Sequence, residues 1–264
     1  MTAMRQRPAT IERGAGATAV FLLHGVGGGK QAWRDNLPGI AQAGYRAIAW
    51  DMPGYGQTPA IDPYTVGALA ESLGMLIDHA GADRNIVLGH SMGGMVAQEL
   101  VALAPGRVHG LILSGTSPAF GRADGNWQQQ FLHDRFAPLD AGQTMAQLAA
   151  QLVPAMMAPD AGPQGLQLAR DVMAAVPQAS YRAALQAIVA FNRLDDLARI
   201  AVPTLCLAGE HDRNASPSVM RRMAERIPGA QYLCLPGVGH LANMEQPAAF
   251  NQAVLAFMQA HFPV

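Results

Sequence analysis

The stretch VLGHSMGG (87–94) places Ser91 between a histidine and a methionine, with Gly89 and Gly93 two residues to either side. This spacing fits the pattern Gly-x-Ser-x-Gly, in which a sharp strand-to-helix turn holds a serine hydroxyl exposed above a sheet. The apolar run before Ser91 predicts a strand, and the segment MVAQELVALA after it predicts a helix. Ser91 is therefore a candidate nucleophile, and the alternative is a serine that only caps a helix.

A serine hydroxyl is a weak nucleophile unless a histidine, itself held by a carboxylate, takes its proton. Of the eight histidines, His240 follows the last predicted strand, in a loop at the carboxyl end of the sheet. Asp212 follows the strand before it, so the order along the chain is serine, aspartate, histidine, as in triads built on this turn. Glu210 is the alternative carboxylate.

Attack by Ser91 would also need two N–H donors for the negative oxygen of the transition state. The N–H of Met92, the residue after the candidate nucleophile, is the first candidate. The second is Val26, in the loop HGVGGGK (24–30), whose glycines let backbone approach a ligand. This loop lacks the spacing of phosphate-binding and dinucleotide-binding loops. We expect no cofactor and no metal, since the candidate residues are not a metal-ligand set and no His-x-x-x-His pair occurs.

Short apolar runs, each closed by glycine, aspartate or serine, predict the strands that position these residues. The predicted strands, all read as buried, lie at 19–25, 45–51, 85–91, 108–115, 202–209 and 231–237. Amphipathic segments between them predict helices, with Thr65 as one N-cap and Ser216 followed by Pro217 at the start of another. Strands that alternate with helices predict a mostly parallel sheet with helices on both faces.

The alternation stops in residues 118–197, where the sequence predicts no strand. This segment is rich in Ala, Gln, Leu and Met, and its prolines are expected to divide it into short helices. Its many apolar side chains need burial, which argues against a disordered linker. We predict a core of residues 1–117 and 198–264, with residues 118–197 inserted as a helical cap after the strand at about 108–114.

In its ordered motifs the chain resembles the α/β-hydrolase superfamily. The matching stretches are HG at 24–25, DMPGYGQT at 51–58, GHSMGG at 89–94, GEHD at 209–212 and GVGHLANMEQP at 237–247. The resemblance covers nearly the whole chain and implies a Ser–Asp–His hydrolase with a helical cap, most like small bacterial carboxylesterases and enol-lactonases. The family usually has a fuller β-hairpin before the first strong strand, which only about sixteen residues precede here, so we expect a shortened sheet edge.

Together these features predict hydrolysis of a carboxylic ester or lactone through an acyl-enzyme on Ser91. The alternative activity is that of a carbon–carbon bond hydrolase acting on a vinylogous diketone. Those enzymes resemble this chain in the Gly-rich HG loop and the Ser-Met-Gly-Gly turn, but they usually carry an aromatic residue where this chain has Leu241. A non-catalytic ligand receptor on the same fold is a third possibility, against which the intact triad argues.

The substrate pocket is expected to be largely apolar, because flexible methionines and aromatic side chains of the predicted cap can line it. The candidate lining residues are Gly25, Gly27, Met145, Met157, Phe191 and Leu241. No cluster of basic residues indicates a dianionic substrate, although Arg135, Arg182 or Arg193 could hold one carboxylate. We therefore expect uncharged or mono-anionic esters or lactones of modest size.

Composition limits the partners of the chain. A net charge of −1 gives no basic surface for nucleic acid or an anionic membrane. The first apolar run, residues 17–23, is too short to span a bilayer, and no signal-peptide pattern is present. Cys206 and Cys234 are predicted to be buried free thiols in a reducing compartment. These observations predict a cytoplasmic monomer or homodimer that acts on a small molecule.

Overall fold

The computed structural model describes residues 7–120 and 126–264. A seven-stranded sheet lies at its centre. The strands are β1 (Thr10–Arg13), β2 (Thr18–Leu23), β3 (Arg46–Trp50), β4 (Arg84–His90), β5 (Gly110–Ser114), β6 (Thr204–Gly209) and β7 (Gln231–Leu235). Their order across the sheet is β1-β3-β2-β4-β5-β6-β7. Only β1 pairs antiparallel with its neighbour, so the predicted mostly parallel sheet is confirmed.

Helices connect the strands and flank the sheet. They are α1 (Leu37–Gln42), α2 (Val66–Ala80), α3 (Met92–Leu103), α4 (Asn126–Asp140), α5 (Met145–Met156), α6 (Pro163–Ala174), α7 (Gln178–Val189), α8 (Pro217–Arg226), α9 (Ala242–Glu245) and α10 (Pro247–His261). Within the described residues, none of these helices is long and apolar enough to cross a bilayer. The predicted N-cap at Thr65 is present, since its hydroxyl accepts a hydrogen bond from Ala68 N–H at 3.1 Å.

The chain reverses direction across the sheet at β2, whose neighbours are β3 on one side and β4 on the other. Because crossovers between parallel strands are right-handed, α1 and the later helices α2 and α3 lie on opposite faces. Packing agrees with this, as α1 contacts α10 whereas α2 contacts α3. The covered strands are buried, with β2 inaccessible along its whole length. The predicted helices on both faces are therefore confirmed.

The two edge strands differ most from the sequence prediction. β1 was not predicted, because its sequence TIER carries no apolar run, and its four residues form a short edge as expected from the short N-terminal segment. β7 was predicted to be buried, but it forms the opposite edge, and Leu233 is 40% exposed. For the same reason Cys234 is only partly buried, whereas Cys206 on β6 is fully buried. Both thiols are free, and the cytoplasmic location stays a prediction.

Between β5 and β6 the described residues form α4 to α7 and no strand longer than an isolated bridge. That bridge joins the two ends of the segment: Phe120 N–H donates to Phe191 O at 3.0 Å, and Arg193 N–H donates to Pro118 O at 2.7 Å. We call α4 to α7 the helical segment. Its separation from the core at residues 117 and 198 stays a prediction.

The prolines of the helical segment divide it less strictly than expected. Pro163 begins α6 and Pro177 immediately precedes α7, as predicted for residues that cannot continue a helix. Pro138 and Pro154, however, lie inside α4 and α5, two residues before each helix ends. A proline near the carboxyl end of a helix removes one hydrogen bond there, and the helix can close its last turn beyond it.

Candidate active site

Ser91 occupies the turn between β4 and α3, at the carboxyl end of a central strand. Its φ of 53° is the only positive φ of a non-glycine residue in the described chain, and such a conformation stores strain. Tight backbone packing explains the flanking glycines. A Cβ on Gly89 would lie 2.4 Å from Gly93 O, and one on Gly93 would lie 2.3 Å from Leu23 O. The turn therefore needs both glycines in order to present the serine.

Asp212 and His240 form a buried pair at the ends of β6 and β7. His240 Nδ1 lies 2.9 Å from Asp212 Oδ2, and both residues are no more than 5% exposed. The other carboxylate oxygen, Oδ1, accepts hydrogen bonds from Asn214 N–H at 2.8 Å and Ala215 N–H at 2.9 Å. Burial alone would raise the pKa of Asp212, but the positive charge and hydrogen bond of His240 and the two N–H donors lower it below its ordinary value.

Glu210, the alternative carboxylate, lies apart from this pair. It is exposed, and its carboxylate accepts a hydrogen bond from Gly237 N–H at 2.9 Å. Asp212 is instead buried at the carboxyl end of β6, close to Gly115 at the end of β5. A Cβ on Gly115, which has φ of 51°, would lie 3.1 Å from Asp212 Oδ2 and 3.3 Å from His240 Nδ1. A side chain at residue 115 would therefore be strained by its positive φ and would crowd the Asp212–His240 pair.

Ser91 and His240 line one cavity of about 360 Å³. In the described chain no hydrogen bond joins the Ser91 hydroxyl to His240. The wall is mostly apolar and is built from the ends of the strands on one side and the helical segment on the other. Within residues 7–120 and 126–264, no group of three His, Cys, Asp or Glu side chains is arranged to hold a metal ion.

Val26 and Met92 also line this cavity, as Ser91 does. Among the described residues, neither N–H has a hydrogen-bond acceptor within the protein, so both are available to a ligand. Met92 is the first residue of α3, where helix N–H groups point outward and favour negative charge. The carbonyl of Val26 accepts a hydrogen bond from the Tyr55 hydroxyl at 2.9 Å, which fixes the peptide that follows Val26. The Val26 N–H belongs to the preceding peptide, whose carbonyl, Gly25 O, accepts hydrogen bonds from Gly28 N–H at 3.0 Å and from His24 Nδ1 at 2.8 Å.

Asp51 holds the loop that carries Val26, a role that the sequence interpretation missed. Its Oδ1 accepts a hydrogen bond from Lys30 N–H at 2.9 Å, and its Oδ2 pairs with the Lys30 ammonium group. The Thr58 hydroxyl donates to Asp51 O at 2.9 Å and keeps the segment compact. The sequence feature that indicates this role is the stretch DMPGYGQT, in which Asp51 and Thr58 lie close enough along the chain to bond each other.

Two further histidines line the cavity in neutral form. Burial lowers the pKa of His24 to about 4 and the pKa of His90 to about 3. His24 accepts a hydrogen bond from Met52 N–H at Nε2, so its Nδ1 carries the hydrogen that it donates to Gly25 O at 2.8 Å. The His90 ring lies against the His240 ring, with centroids 4.8 Å apart. Both rings therefore support the site as uncharged side chains.

Glu245 fixes the loop around His240 and was not identified from the sequence. Its carboxylate accepts hydrogen bonds from Gly239 N–H at 2.9 Å and from Leu241 N–H at 3.1 Å, the residues before and after His240. It also accepts one from Ala158 N–H at 2.8 Å, just beyond α5. His240 N–H in turn donates to Met156 O at 2.7 Å. One carboxylate thus joins the histidine loop to the helical segment.

The cavity wall contains only part of the predicted pocket. Gly25, Gly27 and Leu241 line it, whereas the other three predicted residues do not, and the pocket assignment stays a prediction. These residues, all buried outside the wall, are Met145, Met157 and Phe191. Met145 begins α5, about 10 Å along the helix from Leu152, which does line the cavity. Met157 follows the end of α5, and Phe191 packs at the base of the helical segment. Met156 and Met173 line the cavity instead.

Comparisons with known proteins agree in one family. The sequence model of the alpha/beta hydrolase fold family matches residues 18–247. The pimeloyl-[acyl-carrier protein] methyl ester esterase of Pectobacterium atrosepticum is 28% identical, with 94% of this chain and 96% of the relative covered. A thermophilic esterase from Thermogutta terrifontis superposes with a TM-score of 0.85 at 26% identity, covering 96% of this chain and 93% of the other. The enol-lactonase of Burkholderia xenovorans LB400 gives the same TM-score and identity, covering 95% and 96%.

Proposed function

The chain belongs to the alpha/beta hydrolase fold family, and from that premise we propose that it is a serine hydrolase that cleaves a carboxylic ester or lactone. The observation that carries the proposal is the buried Asp212–His240 pair, which opens onto the same cavity as the strained Ser91. Burying a carboxylate costs free energy unless hydrogen bonds compensate, and here the Asp212 carboxylate is held against the His240 imidazole at 2.9 Å. A nucleophile, a base and an orienting carboxylate in one cavity are the parts that acyl transfer requires.

In the proposed mechanism, His240 Nε2 takes the proton of the Ser91 hydroxyl as Ser91 Oγ attacks the ester carbonyl carbon. The N–H groups of Val26 and Met92 stabilise the oxyanion that forms. His240 then gives the proton to the leaving alkoxide, and an acyl-enzyme on Ser91 remains. His240 next takes a proton from water as the water oxygen attacks the acyl carbon, and it returns that proton to Ser91 Oγ as the acid and the free serine are released. Asp212 orients the imidazole and stabilises its charged form throughout.

The cavity supports a small to medium, largely apolar substrate. Its volume of about 360 Å³ lies near the lower end of ordinary ligand pockets. One relative is a methyl ester esterase and one structural neighbour is an enol-lactonase, which supports ester or lactone chemistry here. The proposal also includes the helical segment as a cap over the substrate, because α5, α6 and α7 supply one wall of the cavity.

A substrate panel tests this proposal. We expect p-nitrophenyl esters of short and medium acids, or simple lactones, to be hydrolysed at rates that fall when the acyl chain outgrows the cavity. A vinylogous diketone in the same panel tests the carbon–carbon hydrolase alternative. Turnover of the diketone alone would replace the ester hydrolase assignment. Covalent labelling of Ser91 by a fluorophosphonate separates either enzyme from a non-catalytic receptor.

The pH profile of kcat/KM provides a second prediction. The base must be neutral when Ser91 is attacking, so activity should rise with pH across one ionisation in the range where histidines titrate. His24 and His90 are already neutral there, because burial lowers their pKa values to about 4 and about 3. Variants of His24 or His90 should therefore keep the rise of kcat/KM with pH. Esters with different leaving groups should show the same rise. A rate independent of pH from about 5 to 9 would contradict the mechanism.

A third prediction concerns Glu245 as a positioning residue. Glu245→Gln replaces one oxygen that accepts N–H donors with an amide that repels them. We expect kcat to fall about tenfold with KM little changed, because a displaced His240 costs roughly 1.4 kcal/mol in the transition state. Glu225→Gln, on the exposed face of α8, is the matched control and should behave like the wild type. An unchanged kcat and pH profile in a folded Glu245→Gln protein would rule out the positioning role.

A further inference from the structure

One charged side chain lies in the wall of an otherwise neutral cavity. Among the described residues that line it, Arg135 of α4 is the only arginine, lysine, aspartate or glutamate. Its side chain is partly buried, and in this part of the chain it makes no ion pair. A guanidinium beside an apolar cavity loses part of its hydration, and an anionic partner compensates for that loss. Such a group is suited to an anionic ligand.

The other two arginines considered from the sequence are already paired. Arg182 bonds Asp140, and Arg193 bonds the carboxylates of Glu99 and Asp196 at the base of the helical segment. Neither lines the cavity that contains Ser91. The structure therefore separates the three candidates: Arg135 alone lines the cavity, and no ion pair within residues 7–120 and 126–264 occupies its guanidinium.

Aromatic side chains pack around Arg135. Its guanidinium carbon lies 5.3 Å from the centroid of the Phe131 ring, one turn earlier on α4, in a cation–π arrangement. Phe131 is itself packed against Phe120 and Trp127, with ring centroids 4.8 Å and 5.7 Å away. Tyr181 of α7 lines the same cavity near this charge. Burial raises the pKa of Tyr181, so its hydroxyl stays protonated and can donate a hydrogen bond.

We propose that Arg135 binds a carboxylate of the substrate, at the end opposite to the bond that Ser91 attacks. The natural substrate class is then a mono-anionic ester or lactone, in which an apolar chain separates the scissile carbonyl from one carboxylate. This inference rests on the proposed hydrolase function and makes it more specific. A second carboxylate is not expected, because the described wall offers no second permanent positive charge.

The three parts of such a substrate, its carbonyl, its apolar chain and its carboxylate, each match a different part of the cavity. The carbonyl lies at Ser91 between the two free N–H groups, and the chain crosses a wall of residues without charge. That wall includes Leu152, Val153, Met156, Met173, Leu185 and Ile188. The carboxylate reaches the guanidinium, whose planar fork can donate two parallel hydrogen bonds to it. Because Arg135 is partly exposed, we expect a moderate preference of about tenfold rather than absolute specificity.

Two substrates of equal length test the proposal: methyl hexanoate, and monomethyl adipate, in which a carboxylate replaces the terminal methyl group. For the wild type we expect a higher kcat/KM with monomethyl adipate, and a preference that weakens as salt is added. Arg135→Met should lower kcat/KM for monomethyl adipate about tenfold, through KM, and change that for methyl hexanoate less than about twofold. Arg135→Lys should recover part of the preference. Arg182→Met, which removes a paired arginine outside the cavity, is the matched control and should preserve it.

Binding to an inactive variant distinguishes failure of this inference from failure of the hydrolase proposal. In Ser91→Ala, monomethyl adipate should change the tryptophan fluorescence, since Trp33 and Trp127 both line the cavity, and the added Arg135→Met change should weaken that binding. If no ester is cleaved but this binding persists, the hydrolase proposal fails and the anion site stands. If methyl hexanoate is cleaved and Arg135→Met, folded by circular dichroism, leaves the ratio of the two substrates unchanged, the carboxylate site is overturned while the hydrolase stands.

Discussion

Replacing Ser91 by alanine is expected to lower kcat for ester hydrolysis by roughly 10⁴- to 10⁶-fold, the range found when a catalytic serine is removed. The variant loses the only atom that can form the acyl-enzyme, so His240 has no hydroxyl to activate. What remains is slow attack by water on an ester held near the free N–H groups of Val26 and Met92. Substrate binding should change little, because the cavity loses one hydroxyl and keeps its apolar wall.

Ser117→Ala is the matched control for this experiment. Ser117 lines the same cavity, but its hydroxyl already donates to Ala119 O at 2.9 Å. It should retain activity within a few-fold of the wild type. Ser91→Ala should also fold normally, because alanine keeps the Cβ that the turn already accommodates. Steady-state kinetics, thermal melting and fluorophosphonate labelling of both variants provide the measurements. Hydrolysis by Ser91→Ala at a near wild-type rate, or labelling at another serine, would end the proposed mechanism.

The three candidate triad residues could be predicted because parallel strands gather their carboxyl ends at one edge of the sheet. A separate predicted strand precedes each of Ser91, Asp212 and His240. Predicting those strands is therefore enough to predict that the three side chains lie close together. The glycines indicated the tight turn at Ser91. Backbone atoms lie within 2.4 Å of the position that a Cβ on Gly89 or Gly93 would take. The Asp212–His240 hydrogen bond of 2.9 Å follows this expectation, while Glu210 turns to solvent.

The cavity wall could not be predicted in the same way. Its residues come from helices whose rotation and length depend on packing between segments far apart in the sequence. Met145 and Met156 both belong to α5, yet only Met156 reaches the cavity, because the two lie at opposite ends of the helix. Glu245 was missed for a related reason. Its bond to Ala158 joins residues 87 positions apart, and no local pattern indicates which backbone a lone glutamate will bind.

Replacing Asp212 by asparagine should lower kcat by roughly 10⁴-fold without unfolding the protein, as expected when the orienting carboxylate of a triad is lost. The structure indicates why the fold should survive. An asparagine oxygen can keep the hydrogen bonds that Asp212 Oδ1 accepts from Asn214 and Ala215 N–H groups. Its amide nitrogen then faces His240 Nδ1 and donates to it. His240 would carry its hydrogen on Nε2, where the mechanism needs a free lone pair to accept the proton of Ser91.

Glu210→Gln provides the matched control, since the two acids are separated by one residue and only Asp212 contacts His240. Glu210 is exposed and bonds the Gly237 backbone, so its loss should change kcat by less than about threefold, a free-energy difference below roughly 0.7 kcal/mol. Kinetics with one p-nitrophenyl ester, together with circular dichroism, compare the variants directly. Nuclear magnetic resonance of the His240 ring should detect the changed tautomer in Asp212→Asn alone. If Glu210→Gln were inactive and Asp212→Asn active, the carboxylate role would belong to Glu210, and the buried pair at His240 would need a structural explanation.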